Sequence, residues 1–266
     1  MGGLGNRILT ISSFVTYCKK MNYRLRIIWG QDKGLLCPFS ELFSFSEEEP
    51  IEVKEIPGWK RFVYDYPRKS VLWLSPVFQY FIFDKRIYLK EFNTIRKNQD
   101  PEEELTRRIG KANSVYIVGC CDLHKEKRVT LPKLSGNVAK TLQEITTDFT
   151  PDTIGVHIRR TDNVWSIRDN HLELYVERMN KELENNPATN FYVASDSMEE
   201  KIKLNELFPK KIITSMKEIR RDSRSDIIFA LAEMYALAET RKIIGSRHST
   251  FAIVAGKLSE GSIDLF

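Results

Sequence analysis

The second half of the chain alternates between two hydrophobic periods. Short β-branched runs at residues 153–159, 190–195, 211–214, 242–245 and 262–266 predict strands. The segments between them, 171–184, 198–208, 226–240 and 250–258, carry helical spacing. In 226–240 the apolar residues Ile227, Ile228, Leu231, Met234, Tyr235 and Leu237 recur every three or four positions, with Asp226 near the helix start. Strand–helix alternation with short connections predicts a parallel sheet covered on both faces.

The first half is less regular. Residues 6–21 read as a helix and 24–29 as a strand, after which aromatic residues and prolines crowd 35–95 and no period holds. Residues 102–111 read as a helix, 115–119 as a strand and 138–147 as a helix. The polar stretch 146–152, Thr-Thr-Asp-Phe-Thr-Pro-Asp, is the best domain boundary. The expected architecture is α/β with two lobes facing a cleft, divided as 1–149 and 150–266.

Composition narrows the class without naming a chemistry. With 266 residues, 42% hydrophobic and 29% charged, the chain can bury a sizeable core. The formal charge of +5 is spread, and no RRM, zinc-finger or helix-turn-helix signature accompanies it, so nucleic acid is not expected as a partner. An anionic small molecule explains the surplus at least as well. No run approaches the ~18 apolar residues of a membrane span, and the opening glycines lack a signal-peptide pattern. Cys18, Cys37, Cys120 and Cys121 show no C-x-x-C spacing, which points to buried free thiols rather than disulfides or zinc. A cytoplasmic location is the expectation, with peripheral membrane association left open.

Three strand ends carry the candidate chemistry. Residues 153–162 run Thr-Ile-Gly-Val-His-Ile-Arg-Arg-Thr-Asp, placing His157, Arg159, Arg160 and Asp162 where a buried strand meets a loop. A guanidinium fork suits a phosphate or carboxylate. Taken alone, the arginine pair fits a structural ion pair, for example with Asp162, just as well. The next strand ends at Ser195-Asp196, where a carboxylate can meet ribose hydroxyls or cap the following helix. Gly245-Ser246-Arg247-His248-Ser249-Thr250 repeats the arrangement: Ser249 or Thr250 would cap a helix whose first N–H groups also suit a phosphate.

At the other end of the chain, Gly2-Gly3-Leu4-Gly5-Asn6-Arg7 opens directly into a helix, and glycines at a helix N-terminus favour an anion or simply form a flexible start. Such a loop normally follows a strand, and the expectation for the first lobe is a truncated start or the loss of its first strand.

These motifs, in this order, resemble the GDP-fucose-dependent fucosyltransferase superfamily, which includes α-1,2- and α-1,6-fucosyltransferases, the rhizobial nodulation enzyme and protein O-fucosyltransferases. The resemblance rests on residues 2–7, the H-x-R-R-x-D element of 155–162, Tyr192-Val193-Ala194-Ser195-Asp196, and Gly245 to Phe251. It implies a GT-B-like fold and an inverting, metal-independent transfer of L-fucose from GDP-fucose to a hydroxyl of a glycan acceptor, with no cofactor. Under it Arg159 grips the β-phosphate while Arg160 supports the loop or the pyrophosphate. His157 and Asp196 approach the guanosine, Glu233 aligns with an acidic residue near guanine, and Ser246, His248, Ser249 and Thr250 lie by the diphosphate. Gly3, Gly5, Asn6 and Arg7 form the donor-side glycine loop.

One departure stands out. Animal α-1,6 enzymes carry a lysine directly after the motif and a glutamate four residues on, where this chain has Asn163 and Ile167. That leaves the general base unassigned, with Asp169 and Asp32 as candidates. Another nucleotide-sugar donor and a non-catalytic nucleotide or glycan-binding module are the alternatives.

Overall fold

A computed structural model describes residues 3–31, 35–45, 49–56, 61–64, 74–123, 128–160, 171–217 and 223–266. The chain divides into two compact units, Met1–Lys133 and Leu134–Phe266.

The first unit opens with α1 (Leu4–Met21), which ends where Asn22 turns left-handed, and continues into β1 (Leu25–Gly30). After the two-residue β2 (Phe43–Ser44) comes β3 (Ile51–Ile56), parallel to β1 from Leu25↔Ile51 to Gly30↔Ile56. A single turn, α2 (Arg61–Tyr64), and α3 (Leu74–Ile82) precede β4 (Lys85–Ile87). Then follow α4 (Leu89–Ile95), α5 (Pro101–Ile109) and β5 (Val115–Ile117), which pairs with β4 in parallel. Phe14, Tyr17, Phe92, Ile95, Leu105 and Ile109 build the core between α1, α4 and α5. Residues 35–95, where the sequence has no period, therefore hold short elements. β3, with its five exposed or half-buried positions, never buries one whole face, which erases the expected alternation.

After β6 (Lys133–Leu134), the second unit begins with α6 (Gly136–Thr146), capped by the Ser135 hydroxyl, which accepts from Val138 N. The boundary thus falls ahead of α6 and not at residue 149. The reason is packing: α6 lies along α9 (Arg224–Ala238), inside the second unit.

The strands β7 (Thr153–Ile158), β8 (Asn190–Ser195), β9 (Ile212–Ile213), β10 (Lys242–Gly245) and β11 (Ser262–Leu265) form one all-parallel sheet in the order β11-β10-β7-β8-β9. Helices α7 (Leu172–Asn185), α8 (Met198–Leu207), α9 and α10 (Thr250–Leu258) connect them. Every residue of β7 is buried, as a central strand covered on both faces requires. Alternation then sorts its side chains. Ile154, Val156 and Ile158 join Tyr175 and Met179 of α7 and Leu204 of α8 in one core, while Gly155 and His157 point to the α9 and α10 side.

Gly155 is what lets α9 lie close. A Cβ there would sit 2.8 Å from Leu237 Cδ2 and 2.9 Å from Thr240 Oγ1. Gly155→Ala is expected to destabilise the protein by about 1–3 kcal/mol through overpacking, read as a lower urea midpoint with unchanged slope. An unchanged midpoint would mean that α9 shifts at no cost.

The described cysteines are all free, but only Cys18 and Cys37 are buried; Cys120 and Cys121 are half-buried with their Sγ atoms 3.7 Å apart. No helix among the described residues is long and apolar enough to cross a membrane.

Candidate active site at the carboxyl edge of the second sheet

The carboxyl ends of β10, β7 and β8 are neighbours, since Gly245 pairs with His157 and Ile158 with Ser195. This is the edge of a parallel sheet where ligands ordinarily bind. His157 is buried and stacks on Phe251 of α10, with ring centroids 4.8 Å apart and planes 14° from parallel. Burial first, and the Arg159 cation second, push its pKa down to about 4, so the ring is neutral at ordinary pH. Its Nδ1 is buried with no hydrogen-bond partner among the described residues.

The two arginines part at the strand end. Arg159 Nη1 lies 3.0 Å from Asp196 Oδ2, with a fifth of its side chain still exposed. Arg160 turns to α8, where its Nε donates to Glu200 Oε1 at 2.6 Å, and its backbone N–H donates to Asp196 Oδ1 at 2.7 Å. Both contacts tie Arg160 to the end of β8 and the first turn of α8; Asp162, the ion-pair partner weighed from the sequence, lies outside the described residues.

Asp196 is not the cap of α8. Ser197 caps it, accepting from Glu200 N at 3.4 Å, while Asp196 accepts from the guanidinium of Arg159 and the backbone of Arg160. The carboxylate thus fixes Arg159 at the sheet edge and pins the turn that carries it.

Beyond β10, Ser246 is fully buried and its Oγ accepts from His248 N at 3.1 Å, while the His248 side chain is exposed. Ser249 occupies the N-cap position of α10 but makes no side-chain cap, contrary to the capping role expected of it or of Thr250. The first turn of α10 accordingly presents its N–H groups without a hydroxyl across them, beside the buried ring of His157. Gly245 permits this approach: a Cβ would lie 3.1 Å from Ala252 Cβ.

Glu233 sits deeper, on α9, fully enclosed beside Tyr192, whose hydroxyl donates to Oε1 at 3.4 Å. Burial raises its carboxyl pKa to about 7, opposed by the Lys201 cation. Lys201 is itself buried, donates from Nζ to the Ser215 carbonyl at 2.8 Å, and has its pKa lowered by burial.

The glycine-loop residues belong to the first unit. Gly3 precedes α1 with no side-chain cap, and a Cβ there would meet open space; Gly5 is buried and Asn6 half-buried. Arg7 is committed to structure: Nη1 donates to the Gly30 carbonyl at 2.7 Å, and its guanidinium lies over Trp29, 4.8 Å from the ring centroid. The two base candidates, Asp32 and Asp169, fall outside the described residues, as do Asn163 and Ile167.

Glu200 and Lys201 were not singled out in the sequence, and Tyr192 and Phe251 only as parts of the matched motifs, with no role given to them. Glu200 stands three residues after Ser197, a spacing that reads as a capping box and hides its pairing with Arg160.

The fold and edge together define a mixed α/β protein with a parallel-sheet site suited to an anionic ligand. Solved structures share that fold. NodZ α-1,6-fucosyltransferase soaked with GDP-fucose is 18% identical with a TM-score of 0.63, over 99% of this chain and 91% of that one. Fucosyltransferase NodZ from Bradyrhizobium is 18% identical with a TM-score of 0.62, over 99% and 92%. POFUT1 in complex with GDP is 11% identical with a TM-score of 0.60, over 100% and 96%. The chain thus has the mixed α/β fold of these solved structures. No protein-family model and no curated protein sequence matches it.

Proposed function

We propose that this protein is a fucosyltransferase that moves L-fucose from GDP-fucose to a hydroxyl of a glycan acceptor and releases GDP. One observation carries the reading: Asp196 holds Arg159 at the carboxyl end of β7, beside the uncapped first turn of α10. Structures of the same fold hold GDP or are described with GDP-fucose.

The chemistry follows from charge. The acceptor oxygen bonds to the anomeric carbon as the bond from that carbon to the β-phosphate oxygen breaks, and the electron pair stays on GDP. Attack from the face opposite the leaving group inverts the centre. A fixed guanidinium and helix N–H groups aimed at the β-phosphate stabilise the departing charge and supply what a divalent cation would, so we propose a metal-independent reaction. The acceptor's proton passes to a carboxylate, for which Asp169 and Asp32 are the candidates. The neutral ring of His157, its Nδ1 unpartnered among the described residues, and the enclosed carboxyl of Glu233 suit the guanosine.

Thermal denaturation with nucleotides tests donor recognition. A ligand at one hundred times its Kd stabilises by about 2.7 kcal/mol, so GDP should raise the Tm by several degrees and UDP should not. Transfer is tested by GDP release from GDP-fucose across a panel of glycans, with activity retained in EDTA. Equal stabilisation by UDP would replace the donor, and GDP binding without release on any glycan would reduce the protein to a binding module.

A further inference from the structure

The adjacent thiols of Cys120 and Cys121 have no part in the proposed transfer, and they are not placed as neighbours on an extended chain would be. Along a strand, successive side chains point to opposite faces. Beyond β5 the chain instead bends at these two residues, and their Sγ atoms come within 3.7 Å, close enough for a hydrogen bond between sulfurs. Both residues keep part of their surface exposed, whereas Cys18 and Cys37 are buried.

The bend is held from both flanking helices. From α1, Thr10 Oγ1 donates to the Cys121 carbonyl at 3.2 Å, and Ser13 Oγ accepts from Leu123 N at 2.9 Å. From the end of α4, Arg96 donates through Nε to the Asp122 carbonyl and through Nη2 to Asp122 Oδ1 at 3.0 Å. Just ahead of the thiols, a Cβ on Gly119 would sit 2.9 Å from Thr10 Cγ2 and 3.1 Å from Phe92 Cε1, so the chain is wedged between the same helices. A backbone clamped in this way keeps the thiols side by side without closing them. A disulfide needs its sulfurs ~2.05 Å apart, and the peptide between adjacent cysteines would have to turn to allow it.

Two thiols in contact are not equivalent. The Cys121 S–H donates to the Cys120 sulfur, and this bond, opposed by burial and helped by the Arg96 cation, holds the Cys120 pKa below the ordinary thiol range. The same bond, together with burial, raises that of Cys121. A half-exposed thiolate beside a cation is the arrangement of a reactive cysteine.

We propose that Cys120 is a modification site for a low-molecular-weight disulfide, with Cys121 as the positioning residue whose S–H stabilises the attacking thiolate. Cys120, its proton given to solvent, attacks one sulfur of the disulfide. The new S–S bond forms at Cys120 as the reagent's own S–S bond breaks, and the departing thiolate takes up a proton. Cys120 is oxidised while the released half is reduced, so the disulfide is the one oxidant required. The clamped bend leaves Cys121 a free thiol beside the adduct.

The test exposes the folded protein to glutathione disulfide at about pH 6.5, where an ordinary thiol is almost wholly protonated, and follows each cysteine by fragment mass spectrometry. Cys120 should gain a glutathionyl group at least about tenfold faster than Cys121, Cys18 or Cys37, a comparison made within one molecule that needs no variant. Cys121→Ala should slow labelling of Cys120 by about fivefold, and Cys121→Ser, which keeps a donor, should restore most of the rate. Three results overturn the proposal: equal labelling of Cys120 and Cys121, an unchanged rate in Cys121→Ala, or a parent that loses two hydrogens and carries no glutathionyl group. The last would make the pair a closing dithiol rather than a site with a helper.

Discussion

Arg159→Ala is expected to lower kcat for GDP release by about a hundred- to a thousandfold, the loss of ~2.7–4 kcal/mol typical of removing one preorganised donor from a developing anion. The reason lies in how the side chain is held. It leaves a buried strand at Ile158, is fixed by the Asp196 carboxylate 3.0 Å away, and needs little reorganisation as charge builds on the leaving phosphate. Arg159→Lys should lose nearly as much, because a lysine keeps the charge but not the planar fork that serves Asp196 and a phosphate together. Asp196→Asn separates positioning from charge: it should lower kcat less than Arg159→Ala, while loosening the Arg160 turn. GDP release at saturating GDP-fucose, with GDP affinity measured by calorimetry, distinguishes a transition-state effect from weaker binding. Arg159→Ala and Arg159→Lys enzymes with unchanged kcat would remove Arg159 from the reaction and the carrying observation with it.

The second unit was legible in the sequence because each of its elements obeys one period. Strands 190–195 and 242–245 and helix 250–258 have the bounds the pattern predicts. The strand-end chemistry was legible for the same reason, since a buried run that stops at charged residues marks a carboxyl edge. Partners across the site were not legible. Nothing local ties Arg160 to Glu200, forty positions away, or Asp196 to both arginines; sheet register does that. Arg7 shows the opposite error. A glycine loop followed by arginine suggests an anion site, yet the side chain packs on Trp29 and bonds to the end of β1. The first unit resisted reading because its strands form separate two-stranded pairs with partly exposed faces, so neither alternation nor a long apolar run develops.

Glu233→Gln should make the protein more stable at pH 8 by up to about 3 kcal/mol while changing little near pH 4, the second large effect expected. Burial raises the Glu233 carboxyl from 4.5 to about 7, so between those values the folded state keeps a proton that the unfolded state has lost. Stability present below the unfolded pKa is therefore lost as pH rises through about 7. His157 works in the opposite sense. Its pKa falls from 6.5 to about 4, the unfolded chain holds the extra proton between those values, and stability is lost as pH falls. From about 4.5 to 6.5 the two slopes, each about 1.4 kcal/mol per pH unit, oppose one another and the parent should be nearly flat.

Glutamine keeps an acceptor for the Tyr192 hydroxyl but cannot ionise, so the variant exposes the His157 slope alone. Its stability should climb from pH 4 to 6.5 and then level, as urea unfolding at pH 4.2, 5.5 and 8 would show. The Lys201 cation, which also senses Asp196, is the charge that opposes this outcome. If Glu233→Gln is instead less stable than the parent at pH 8, the carboxylate is ionised and paired with Lys201, and burial does not govern its proton. Under the proposed function GDP gives an independent reading: an ionised Glu233 accepts from guanine N–H groups, so GDP affinity should fall as pH drops below about 7 in the parent and lose that dependence in Glu233→Gln.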